Sequence, residues 1–341
     1  MTSPLILTLN AGSSSIKFAL FAADDGLREI AADTVEPGIG ERALFDRVGA
    51  AAASGTLAAI AHRVVHGGPG LAAPVLIDAP VLDQLRAAIP FAPLHNPAAL
   101  ALIAEAGRRF PAVPQVACFD TGFHADLPDI AAVLPIPRSM RKEGIRRYGF
   151  HGLSCQSILH QLGDEVPARL VIAHLGNGAS VTAIRAGRSI DTSMGLTPSG
   201  GVVMATRAGD LDPGLLFYLM RTRGMDAGAM EELLDRQSGM LGVSDLSGDV
   251  RLLRGSGTPD AALAIALFCR SVAKQVAGMA VSLGGMDMLI FTGGIGEHDA
   301  AIRRQIAAEL RAAGLPPFAA ASVSSRENEQ MARDARALLK A

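Results

Sequence analysis

The 341-residue chain has no tryptophan and only two tyrosines, so it lacks the flat aromatic platforms on which single-stranded nucleic acids stack. It also lacks a dominant charge. Its 31 basic and 33 acidic residues leave a formal net charge of −2, which gives no general field for nucleic acid or an acidic membrane surface. Any anion must therefore be met by local groups. Cysteine is scarce: Cys118, Cys155 and Cys269 form no CxxC pair. That argues against a zinc site and fits small buried thiols in a reducing compartment. No GxxxxGK[ST] occurs anywhere, so the commonest nucleotide fold is disfavoured. The N-terminus has no basic n-region, and its apolar run is too short for a signal peptide. No segment reads as long enough to cross a membrane, because Arg270 and Lys274 close off apolar Ala261–Phe268. The expected setting is cytoplasmic, with no nucleic-acid or membrane partner.

What is present is a repeated pattern of apolar strand followed by small polar residues and glycine. Leu5–Phe18 reads LILTLNAGSSSIKF: a strand runs into Asn10, Gly12, Ser13, Ser14, Ser15 and Lys17. Such a turn offers backbone N–H groups, hydroxyls and a cation to an anion; a serine-rich hairpin accounts for the same residues. The pattern returns at Leu170–Ile184, LVIAHLGNGASVTAI, and at Met288–Glu297, MLIFTGGIGE. Each glycine can supply a positive φ or let backbone approach a phosphate. The recurrence suggests an internal duplication, two similar α/β domains with phosphate loops facing across a cleft.

The length accommodates two domains with full cores. Strands are expected at Leu5–Leu9, Ile16–Phe21, Ile60–Val65, Val116–Phe119, Leu170–His174, Ser180–Ile184 and Met288–Thr292, alternating with helices. Asn96-Pro97 and Asp212-Pro213 read as side-chain caps before a proline at the first helical position. Asp299 caps a helix whose Ile302, Ile306 and Leu310 repeat every four residues, with Gly314 ending it. The boundary is expected in the proline-bearing stretch Leu127–Arg138. The domains are then 1–124, completed by a C-terminal helix at 329–341, and 125–328.

Chemistry-bearing side chains gather in HRVVHGG (62–68), LHN (94–96), FDT (119–121), YGFHG (148–152) and TRAGD (206–210). They supply arginines, histidines and carboxylates in no trusted Ser-His-Asp order. His62 and His66 lie on a strand, where an offset of four has no special zinc meaning.

The segments LNAGSSSIK, HRVVHGG, PLHNP, FDTGFH, RRYGFHG, HLGNGAS, SMGLTP, TRAGDLDPG and FTGGIGE, in this order over nearly the whole chain, resemble the motifs of the acetate kinase family. The resemblance implies an α/β fold of two duplicated ribonuclease-H-like domains with an interdomain active-site cleft, shared with sugar kinases, actin and heat-shock ATPases. It implies transfer of the ATP γ-phosphoryl group to the carboxylate of a small acid, with Mg²⁺ required (Mn²⁺ able to substitute) and a homodimeric state. Carried over residue by residue, Asp120, His151, Arg207 and Arg63 look like the catalytic groups. Arg63 with Val65, Leu94, Phe150 and Pro198 resembles the acid site. Lys17, Ser13 and Ser15, His174-Leu175-Gly176-Asn177-Gly178, Asp249-Val250-Arg251 and Gly294-Ile295-Gly296-Glu297-His298 resemble the ATP contacts. Asn10 and Glu327 resemble the metal site. The chain departs from the family at Ser199-Gly200, where leucine and glutamate are usual, and at His298, where asparagine is usual.

These residue types suit the implied reaction. A carboxylic acid of pKa ~4.3 is already ionised at neutral pH and needs no general base. The difficulty is bringing one anion against another, which arginine forks and a metal ion relieve. One methylene in a pocket discriminates by only ~1–3 kcal/mol, so propionate or another short-chain acid stands as the alternative substrate. A catalytically silent nucleotide-binding module and an acyl-phosphate hydrolase are the readings outside this class.

Overall fold

A computed structural model describes residues 4–12, 15–35, 41–52 and 55–340. The chain forms two compact units. The first comprises the described residues of Met1–Ala125, His151–Gln161 and Arg326–Ala341; the second comprises Asp126–Phe150 and Leu162–Ser325.

Unit 1 is built on six strands: β1 (Pro4–Ala11), β2 (Ile16–Ala22), β3 (Glu29–Val35), β4 (Thr56–Val64), β5 (Val75–Leu76) and β6 (Gln115–Phe119). Their order is β3-β2-β1-β4-β6-β5. β1 and β2 are antiparallel, as are β2 and β3, whereas β1, β4 and β6 run parallel. Strand β1 is buried on both faces, which is why it reads as a mostly apolar run without polar–apolar alternation. Leu5, Leu7 and Leu9 join Leu44, Phe45, Val48, Leu102 and Ala106 in one core layer. Ile6, Phe21, Ala59, Ala61, Val116 and Cys118 join Leu153, Met331, Ala332 and Ala335 in the other. Each large side chain so buried contributes ~1.5–3 kcal/mol.

Unit 2 has β7 (Arg169–Leu175), β8 (Ala179–Arg185), β9 (Arg188–Thr192), β10 (Met288–Thr292) and β11 (Ala319–Ser322), in the order β11-β10-β7-β8-β9. Its first three strands are again an antiparallel meander, and β7, β10 and β11 are parallel. Strand for strand this repeats β6-β4-β1-β2-β3 of unit 1, so the duplication expected from the strand–glycine pattern is present in the topology.

Three expectations are corrected. The helix Gly152–Leu162 belongs with unit 1 over all but its last residue, not with a second domain beginning at 125. The reason is packing: Leu153 lies in the unit 1 core, and Gly152 N donates to Asp120 O at 2.8 Å. Asn96 is not a helix cap. It is the first helical residue, and its side chain instead holds a strand end, donating to His66 O at 2.9 Å and accepting from His66 N at 3.3 Å. Finally, among the described residues one helix, Pro259–Leu283, is long and apolar enough to cross a membrane by length and composition. Arg270 and Lys274 do not interrupt it because both project from its exposed side. Phe268, Val272, Val276 and Met279 on its other side are buried, and it packs across β7, β8 and β9. Asp212 and Asp299 cap their helices as expected, accepting from Gly214 N and from Ala301 and Ile302 N.

Candidate active site

In unit 1 the period-two alternation of strands aligns three polar residues. Asn10 shares a β1 face with Ile6; Arg63 shares a β4 face with Ala59 and Ala61; Asp120, just beyond β6, follows Val116 and Cys118. All lie at the carboxyl ends of parallel strands, where ligands bind in open α/β sheets. Their apolar predecessors are covered by Met331, Ala332 and Ala335 of the helix Glu327–Lys340, and that helix starts with Glu327.

The four side chains are bonded together. Arg63 Nε donates to Asp120 Oδ1 and Oδ2 at 3.1 and 3.0 Å, and Nη2 donates to Oδ2 at 2.5 Å. Arg63 Nη1 donates to Asn10 Oδ1 at 3.2 Å, and Asn10 Nδ2 donates to Glu327 Oε2 at 2.9 Å. Asp120 and Asn10 are buried, and only 13% of the Arg63 side chain is exposed. Burial works against the Arg63 charge, but the carboxylates of Asp120 and Glu327 outweigh it and hold the guanidinium firmly protonated. Burial pushes the Asp120 carboxyl upward, the Arg63 guanidinium pulls it back, and Glu327 adds a further upward push. The site is thus a fixed cation set among three oxygen-bearing side chains.

Lys17 pairs with Asn10 in the β1–β2 register and is exposed. Ser15 is half-buried and its carbonyl accepts from Gly12 N at 2.9 Å. Ser13 lies outside the described residues. Val65 is buried and Leu94 half-buried.

His151 is buried and adopts a φ of 57°, a left-handed conformation uncommon outside glycine. Its neighbour must be glycine for a different reason. A Cβ on Gly152 would lie 2.3 Å from Asp120 O and 2.9 Å from Phe123 Cβ. The bare backbone lets this helix start close against the Asp120 main chain.

In unit 2 the hairpin of β7 and β8 carries His174–Gly178, closed by Gly176 N donating to Gly178 O at 3.0 Å. Gly293, at the end of the neighbouring β10, has φ 76°, and a Cβ there would lie 2.8 Å from Leu175 O and 3.0 Å from His174 Nε2. The two glycine loops therefore converge within unit 2. Glu297 is occupied structurally, accepting from Gly293 N at 3.1 Å and Ser325 N at 3.0 Å. Gly294 is exposed and open. Asp249 caps the helix Val250–Ser256 and pairs with Arg251, whose guanidinium holds the Asp249 carboxyl below the usual range. The Val250 side chain is in the core, so only its backbone can meet a ligand. Arg251, Arg254, His298 and Arg304 line a cavity of about 640 Å³, a volume typical of small-molecule sites. Arg207 is buried, and its Nη1 donates to Pro198 O at 3.1 Å; Phe150 is also buried.

Among the described residues no group of three or more His, Cys, Asp or Glu could cage a metal. Mg²⁺ takes hard oxygens and is usually held by one or two carboxylates together with phosphates and waters. Asn10, Asp120 and Glu327 are such oxygens, so the residues fit the ion.

The duplicated α/β fold thus carries paired glycine loops in unit 2 and a carboxylate-braced arginine in unit 1. The family model described as Acetokinase family matches residues 42–333, and the chain belongs to that family. It is 42% identical to an acetate kinase of Rhodopseudomonas palustris, over 94% of this chain and 90% of that one. Among solved structures, a propionate kinase from Francisella tularensis matches with a TM-score of 0.89 and 34% identity, covering 97% of this chain and 98% of the other. Porphyromonas gingivalis acetate kinase matches with a TM-score of 0.85 and 30% identity, covering 99% and 100%.

Proposed function

We propose that the protein phosphorylates acetate with ATP, giving acetyl phosphate and ADP, in a reversible reaction. The observation that carries this reading is Arg63: a permanently charged fork, braced by Asp120 and Asn10 at strand carboxyl ends. A guanidinium has five N–H donors, so Arg63 retains donors for an acid's carboxylate after bonding both partners. The acetate oxygen forms the new bond to the γ-phosphorus while the bond from phosphorus to the ADP oxygen breaks. No proton moves, because the acid enters ionised.

Asn10 and Glu327 would hold Mg²⁺, or Mn²⁺ in its place, with Asp120 nearby. When bound, the ion supplies positive charge to phosphate oxygens. Asp120 orients Arg63 and does not abstract a proton. Arg207 and His151 donate to the equatorial oxygens of the transferring group, where charge accumulates in a loose transition state. Lys17, Ser13 and Ser15, the loops His174–Gly178 and Gly294–His298, and Asp249–Arg251 take the nucleotide. Val65, Leu94, Phe150 and Pro198 meet the acid's alkyl end. Propionate is the second reading, supported by the likeness to the Francisella protein.

The test is hydroxamate formation from ATP, hydroxylamine and, in turn, acetate, propionate and butyrate. Acetate is expected to give the highest kcat/KM. A clear preference for propionate overturns the choice of acid, and no hydroxamate with any acid overturns kinase activity.

We also propose a cytoplasmic homodimer. Three buried cysteines outside any disulfide support a reducing compartment. The helix Pro213–Arg223 supports self-association, because it buries none of its residues and exposes Leu215, Phe217, Tyr218 and Met220. Phe217→Asp is expected to shift the sedimentation coefficient from dimer to monomer.

A further inference from the structure

The motif RRYGFHG contributes Phe150 and His151 to the proposed site, but its second arginine has no role there. In the structure Arg147 makes an unusual set of bonds. Its Nε donates to Ala131 O at 3.0 Å, and its Nη1 donates to Thr192 O at 2.7 Å and to Ser193 O and Met194 O at 3.2 Å each. A charged fork is thus spent on backbone carbonyls that a neutral donor could satisfy more weakly. The next two residues extend the grip, with Tyr148 N and Gly149 N donating to Gly195 O at 3.0 and 3.4 Å.

The segment gripped this way leaves β9 and runs without regular structure to Gly201. Its far end is held by Asp210, whose Oδ1 accepts from Gly201 N at 2.7 Å and whose N donates to Gly201 O at 3.0 Å. Between the two anchors lies Pro198, and its carbonyl accepts from Arg207 Nη1. Gly200 and Gly201 lie in the same stretch, and glycine gives a loop more backbone freedom to lose on ordering. These anchors, with the Ser193 N–Val181 O bond at 2.9 Å, hold the stretch, and its Pro198 carbonyl is one of the contacts that direct the Arg207 guanidinium, beside Met204 Sδ at 3.7 Å from the same Nη1.

We propose that Arg147 is a positioning residue for phosphoryl transfer: by gathering the carbonyls of residues 192–194 it presets the loop whose Pro198 carbonyl aims Arg207. The inference rests on the role given to Arg207 above. It concerns geometry, so it reads on kcat, with substrate binding little altered; sub-ångström misplacement of a transition-state contact is enough to slow the chemical step.

The test compares Arg147→Lys, Arg207→Lys and the double variant in the full-length protein, measuring kcat, both KM values and thermal unfolding. Lysine keeps the charge but cannot reproduce a planar fork reaching four carbonyls. Arg207→Lys is expected to lower kcat ~100-fold, as loss of a transition-state donor does. Arg147→Lys is expected to lower kcat ~10-fold with KM values within about twofold. If Arg147 acts through Arg207, the double variant is no slower than Arg207→Lys alone. Unchanged kcat in folded Arg147→Lys overturns the inference, and so do single losses that multiply in the double variant. Should Arg147→Lys not fold, Arg147→Gln takes its place; if neither folds, Arg147 is a structural residue and the inference is overturned. Normal kcat in Arg207→Lys would instead fell the role of Arg207 itself, a distinguishable result.

Discussion

Asn10 and Glu327 stand 317 positions apart and are joined by a 2.9 Å hydrogen bond. The first strand of the chain and the first turn of its last helix thereby build one polar corner, with Arg63 completing it from β4. If that corner holds the metal, Glu327→Gln keeps an acceptor for Asn10 Nδ2 while removing the negative charge. The expected outcome is a normal fold, a ~10–100-fold higher Mg²⁺ requirement and a lower kcat. A Mg²⁺ titration of kcat checks this, and an unchanged half-saturation point would remove Glu327 from the metal site.

The Arg63–Asp120 pair makes a prediction about stability as well as rate. Truncating one member of a buried ion pair leaves the other uncompensated, at ~3–5 kcal/mol. Asp120→Ala is expected to lose stability of that order, read by urea unfolding. Asp120→Asn, which keeps the shape, is expected to lose most of kcat while remaining folded. The double change Arg63→Met with Asp120→Leu is expected to recover much of the lost stability and none of the activity. Single variants as stable as the parent would contradict this account.

Gly152 and Gly294 offer a contrast between two glycines in recognisable motifs. A methyl group at 152 would collide with the Asp120 carbonyl, whereas at 294 nothing lies within 4 Å. Gly152→Ala is expected to force the helix Gly152–Leu162 outward, costing ~1–3 kcal/mol as overpacking does and lowering kcat through His151 and Asp120. Gly294→Ala is expected to be thermally neutral. Paired melting curves decide it, and equal curves would show that the helix start is not constrained by contact.

Much of this was legible in the chain itself. The strands of both cores could be read because the middles of β1, β7 and β10 are buried on both faces and therefore largely apolar. Strand β11 could not, because its three alanines and serine are all exposed and carry no alternation. Strand β3 escaped for a similar reason, with Glu29, Ala32, Asp33 and Thr34 exposed and apolar character confined to a few positions. The capping aspartates were readable because a cap is a local bond, whereas Asn96 was misread because its partner His66 lies 30 residues away. The function of Arg147 was hidden for the same reason: its carbonyl partners at 192–194 have no side-chain signature. Asn10, Arg63 and Asp120 lay in polar segments of the chain and Glu327 entered only through the family resemblance; the sheet register aligns the first three, and the packing of the helix Glu327–Lys340 brings the fourth to them.

The helix that carries Glu327 also holds a half-buried acid. Burial pushes the Asp334 carboxyl up to about 6, against the opposing effects of the Gln330 hydrogen bond and of Arg333, and its Oδ2 is buried with no hydrogen-bond partner. Its charge in turn adds to the burial that raises the Cys118 thiol. Because the folded-state value lies above the unfolded one, the native protein binds the proton more tightly. This contribution to stability is therefore greatest below pH ~4 and lost as pH rises through about 6. At pH 7.5 the ionised carboxylate is then a net strain on the docking of the helix Glu327–Lys340, of the order of ~3 kcal/mol at most. Asp334→Asn keeps the acceptor for Gln330 Nε2 and removes the charge. The variant is expected to unfold at higher denaturant concentration than the parent at pH 7.5, with the difference shrinking toward pH 5. An equal gain at both values would mean that packing, and not ionisation, governs this position.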